Sequence, residues 1–108
     1  MQFRIAVNET PEKIIFLMEN RYNIVRRSAR CYFMSGNIFE IYRNEDYDKI
    51  LSTGEDGWLY YNTHIDFFPI DDKITVLREI EIAENIKNFF DSCCIRSEII
   101  FDSDEYQT

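Results

Sequence analysis

The chain is short of the residues that break or staple a fold. Its 108 residues include three glycines, two prolines and three cysteines. So little Gly and Pro leaves no composition for long flexible linkers. An odd cysteine count, with Cys93 and Cys94 adjacent, does not build a disulfide framework, and buried thiols in a reducing compartment are the plain expectation. No stretch approaches the roughly 20 apolar residues of a membrane span. The opening residues, Met1 to Val7, lack the apolar run of a signal peptide. The chain is therefore expected to be cytoplasmic, with no membrane partner. Only one histidine, His64, is present.

Basic residues are scarce in one half. Residues 1–43 hold seven Lys/Arg and four Asp/Glu; residues 44–108 hold five and sixteen, which gives the total of −8. An acidic second half points to a basic partner or to solubility rather than to a fold. Aromatic residues are plentiful: nine Phe, seven Tyr and one Trp can fill a core without metal or disulfide.

The pattern along the chain predicts one α+β domain over 1–101 and an acidic, flexible tail over 102–108. A first strand is expected over 3–7, where Phe3, Ile5 and Val7 alternate. Thr10-Pro11-Glu12 then opens a helix to about residue 20 or 22, with Ile14, Leu17, Met18 and Tyr22 on one face. Two apolar-aromatic runs, 30–34 and 38–43, flank Ser35-Gly36-Asn37, as a hairpin or as one bulged strand. A strand over 58–68 is followed by a helix over about 73–91, capped by Asp71 or Asp72, whose apolar face runs through Val76, Leu77, Ile80, Ala83, Ile86, Phe89 and Phe90. A last strand occupies about 94–101. The order β-α-β-β-β-α-β is most simply a two-layer sandwich, with both helices on one face of a mainly antiparallel sheet and the other face open.

In the 58–68 strand, Leu59, Tyr61, Thr63, Ile65 and Phe67 would face the core, and Trp58, Tyr60, Asn62, His64, Asp66 and Phe68 would face out. An outward mixture of rings, amide, imidazole and carboxylate suits recognition, although aromatic cross-strand pairs also stabilise sheets that bind nothing. Acidic turns bracket it: Glu45 and Asp46 with Glu55 and Asp56 before, Asp71 and Asp72 after. An aromatic centre within a charged rim is interface anatomy. The acids of the second helix, Glu79, Glu81 and Glu84, read as a solvated face.

Motifs for chemistry are thin. A Cys/His nucleophilic site needs one of three thiols beside His64, and no signature supports it. Cys93-Cys94 lacks the zinc-ligand gap, and Asn44-Glu45-Asp46-Tyr47-Asp48 has the charge but not the pattern of a calcium loop. Nucleotide-binding glycine motifs are missing, so no cofactor or metal is expected and the chain does not read as an enzyme. The basic group Arg26, Arg27 and Arg30 is read as pairing with the chain's own carboxylates; the overall acidity argues against nucleic acid.

The segment Asp56-Gly57-Trp58-Leu59-Tyr60-Tyr61, continuing through Ile65-Asp66-Phe67-Phe68-Pro69-Ile70-Asp71, resembles small bacterial immunity proteins that neutralise polymorphic or contact-dependent-inhibition toxins. The likeness covers roughly the second half of the chain, and it carries over no set of site residues. It implies a cytoplasmic stoichiometric inhibitor that covers a basic toxin domain, often a nuclease, as a monomer or a homodimer. The competing readings are an acidic DNA mimic, a small enzyme centred on His64, and a non-catalytic binding module.

Overall fold

A computed structural model describes residues 3–28, 30–34, 36–70 and 73–101. Six strands form one sheet: β1 (Phe3–Val7), β2 (Val25–Arg26), β3 (Cys31–Met34), β4 (Asn37–Arg43), β5 (Thr63–Pro69) and β6 (Ser97–Phe101). Their order across the sheet is β2-β3-β4-β5-β1-β6, and every neighbouring pair is antiparallel. Helix α1 (Pro11–Arg21) follows β1, and α2 (Val76–Ser92) follows β5. The α+β sandwich is the expected one, with β2 added at an edge. Apart from β2 and β3 the order is the split β-α-β-β-α-β plan, in which β5 enters between β1 and β4.

The core lies between the helices and one face of the sheet. Phe39, Phe67 and Phe3 form a cross-strand ladder, with ring centres 5.1 and 5.3 Å apart. Ile14 and Met18 of α1, and Ile82, Ala83, Ile86 and Phe90 of α2, close over it. Helix α1 starts as its sequence dictates: the Thr10 hydroxyl accepts from the Lys13 amide and Pro11 takes the first turn. Among the described residues no helix is long and apolar enough to cross a membrane.

Helix α2 departs from expectation at both ends. Its cap is Thr75, whose hydroxyl accepts from the Arg78 amide, and it begins at Val76 rather than 73; Asp71 and Asp72 lie outside the described residues. The face that α2 buries is also not the expected one: Leu77 is 74% exposed, and Glu79, expected on the solvated face, lies in the core at 1% exposure. At the other end Cys94 adopts φ 60°, its amide bonding Asp91 O while the Ile95 amide bonds Phe90 O. That pairing is a Schellman ending. It delays β6 to Ser97 rather than 94.

The 30–43 segment is a hairpin, not a bulged strand: Met34 pairs with Asn37, and Gly36 takes φ +77°, a left-handed turn position. The cysteines are not buried as expected. Cys31 and Cys93 are partly exposed, Cys94 is exposed, and all three are free thiols.

Candidate recognition surface

Between β4 and β5 the chain leaves the sheet for residues 44–62, and the expected 58–68 strand is half absent. Only Thr63–Pro69 is strand, and Gly57–Tyr60 is a turn of 3-10 helix. The reason is a close approach. A side chain at Gly57 would sit 2.1 Å from Ser52 O, so only glycine lets the turn at Leu51–Thr53 stack on it. Alternation therefore holds for Thr63 to Phe68 and fails before it: Leu59, assigned to the core, is exposed, while Tyr61 is buried.

Asn44 holds the excursion shut. It is buried, its Nδ2 donates to Leu59 O at 3.1 Å and Tyr61 O at 2.9 Å, and its Oδ1 accepts from the Asp46 amide. Asp48 Oδ1 accepts from the amides of Ile50 and Leu51, both at 2.9 Å. These short polar side chains replace a ladder the backbone does not make there. An asparagine beside an acidic run was the available signal for this staple.

The fold so stapled presents an open hollow of ≈ 510 Å³ lined by Glu45, Asp46, Tyr47, Asp48, Leu51, Leu59 and Tyr60. Ile50, 81% exposed, stands on the same excursion. Of the residues singled out by sequence, Glu45, Asp46 and Tyr60 line this hollow, and Glu55 and Asp56 are exposed in the turn behind it. Trp58 is partly buried within the 57–60 turn, not in a strand. Asn62 faces a separate cavity of ≈ 290 Å³ with Arg43, Tyr47 and the start of α1.

His64 and Asp66 lie instead on the sheet face opposite the helices. There Asp66, 6% exposed, accepts from Arg4 Nε at 2.7 Å, Arg4 Nη2 at 3.2 Å and Tyr42 Oη at 2.6 Å. Arg4 Nη2 also donates to Tyr42 Oη at 3.0 Å. Burial, with the hydrogen bond to Asp66 next, pushes the Tyr42 hydroxyl up to about 12, and the Asp66 bond raises Arg4. Asp66 is thus spent inside the fold.

His64 packs edge-on against Tyr42, with ring centres 5.7 Å apart. Burial first, then the Arg4 charge, lowers its pKa and favours the neutral ring. Its cross-strand neighbours are Tyr42 and Ala6; Cys31 lies two strands away and one row over. Among the described residues no cluster of His, Cys, Asp and Glu is placed to hold a metal ion.

The basic group corrects another expectation. Arg26, Arg27 and Arg30 are exposed, and among the described residues none makes an ion pair. Arg26 Nε donates to Ser28 O, and the Arg27 guanidinium lies 4.8 Å from the ring centre of Phe33. Phe33 belongs to an apolar row, Val25–Phe33–Ile38–Phe68, that crosses the open face of the sheet. Compared with known proteins, the chain matches no family model, no curated protein and no solved structure.

Proposed function

We propose that this protein is a non-catalytic binding protein that captures a basic protein partner on its 44–62 excursion, acting as a stoichiometric inhibitor of the toxin-immunity kind. The observation that carries the reading is the hollow itself: carboxylates of Glu45 and Asp46 beside the rings of Tyr47 and Tyr60 and the exposed Leu51 and Leu59. Apolar and aromatic area supplies desolvated contact, and the acids orient and accelerate the encounter. A nuclease domain suits such a surface, because a cleft that attracts phosphates also attracts carboxylates. Inhibition would be steric and electrostatic, with no turnover and no cofactor, in the cytoplasm where the toxin acts.

The DNA-mimic reading asks for acids strung along an extended face. Glu45, Asp46, Asp48, Glu55 and Asp56 are instead gathered on one short excursion, which favours a protein surface as the target. The direct test is co-expression with any toxin domain found encoded immediately upstream of this chain, with binding measured by calorimetry. Protection and a 1:1 complex are expected. A chain that neither protects cells nor binds the domain defeats the proposal.

A further inference from the structure

The two edges of the sheet are built differently. β2 is a two-residue edge, Val25–Arg26, whereas β6 runs five residues, Ser97–Phe101, with no lysine and no proline, devices that normally blunt an edge. The phase of its hydrogen bonds can be read from its partner. Asn8 N donates to Arg96 O at 2.8 Å, and these two residues continue the register that pairs Val7 with Ser97. Hydrogen-bonded and non-hydrogen-bonded pairs alternate along an antiparallel ladder. The pairs Ala6–Glu98 and Arg4–Ile100 are therefore hydrogen-bonded to β1. Ser97, Ile99 and Phe101 turn their backbone N–H and C=O groups outward.

We infer that this edge pairs with the β6 edge of a second copy, antiparallel about a two-fold axis at Ile99. Three registers that keep the helices of both copies on one face compete. A dyad at Glu98 sets two glutamates directly opposite each other and leaves Phe101 without a partner inside the strand. With the dyad at Ile100, Ser97 is left over. At Ile99 the axis pairs Ser97 with Phe101, Ile99 with itself, and Glu98 with Ile100. All three outward-facing residues then exchange both backbone bonds, and no like charges are opposed. The product is one continuous sheet closed by symmetry, with no free copy of the longer edge.

Analytical ultracentrifugation of the full chain over micromolar to near-millimolar concentration tests this, with two substitutions at one half-buried register position, Ile100. Ile100→Lys faces the partner's Glu98 and is expected to tighten the dimer roughly fivefold; Ile100→Glu faces the same residue and is expected to weaken it by a similar factor. Within one chain Ile100 is paired with Arg4, so effects on monomer stability run with the opposite sign and cannot imitate the result. Ile99→Pro, which removes the central donor, should give a monomer. If that variant does not fold, the Ile100 pair decides alone. A wild-type chain that stays monomeric throughout, or a dimer indifferent to charge at position 100, overturns the inference.

Discussion

On the open face of the sheet, Asp66 receives two nitrogens of Arg4 and the hydroxyl of Tyr42. On the helix face, Glu79 is buried still more completely, yet neither of its oxygens has a well-formed hydrogen bond among the described residues. The Asn37 amide and the Arg78 charge favour its ionised form, but burial outweighs them and raises its pKa. Two carboxylates of similar burial thus play opposite parts. Asp66 is an organised charge whose partners depend on it. Glu79 is a carboxyl whose ionisation the core opposes, because water is removed without equivalent replacement.

The sharpest way to break this contrast is to remove each acid. Asp66→Ala leaves Arg4 and Tyr42 facing a gap and is expected to lose about 2–3 kcal/mol in urea unfolding at pH 7, less than a fully buried pair would lose because Arg4 is partly solvated. The same network predicts an alkaline limb. Tyr42 stays protonated to about 12 in the fold against 10 in the unfolded chain. Its contribution is complete below pH 10 and is lost as pH rises to about 12, because the unfolded chain releases that proton first. Wild type should lose on the order of 1 kcal/mol more than Tyr42→Phe across that window, after allowance for solvent screening.

Glu79→Gln should act in the other direction, raising stability by about 1 kcal/mol at pH 7. The sign follows from the raised pKa of the native carboxyl. Below the ordinary value of 4.5 both folded and unfolded chains are protonated, so the wild type carries no handicap there. The handicap grows as pH climbs from 4.5 toward the raised value and is complete above it, and the advantage of the amide should grow with it. An unfolding series over about pH 3.5 to 8 checks this. A Glu79→Gln variant destabilised at pH 7 would show that Glu79 has a partner as good as that of Asp66.

The helix-facing pattern of β1, the start of α1 and the 30–43 hairpin were legible because local rules agree there: alternation, a Thr-Pro-Glu start, a glycine turn. Glu79 was not, because docking on the sheet buries the face through Glu79, Ile82, Ala83, Ile86 and Phe90, and apolar Val76 and Leu77 made a neighbouring face look plausible. The 57–60 turn was also hidden. Trp58, Leu59 and Tyr60 read as strand, and only the contact between Gly57 and Ser52, a tertiary matter, turns them into a helical turn. Of the candidate site, the acids at 45 and 46 and Tyr60 were legible. Asp66 read as an outward acid, since its commitment to Arg4 spans 62 residues of sequence.

The same distinction between committed and free acids extends to the surface, where effects should be smallest. Asp48 Oδ1 already accepts from two backbone amides and Asp66 is taken by Arg4 and Tyr42, so both acids are committed to the fold. Glu45, Asp46, Glu55 and Asp56 are exposed and among the described residues make no ion pair. Single reversal of these four to Lys should slow association with a basic partner by about threefold to tenfold at low salt, chiefly in the on-rate. Reversal at Glu81 or Glu84, exposed on α2, should change it by less than about twofold. Stopped-flow association at two ionic strengths separates the cases, because at high salt the first group's advantage must shrink as screening shortens the reach of each charge. Equal slowing by both groups would mean that the partner senses only net charge, and the excursion would then lose its claim to be the contact surface.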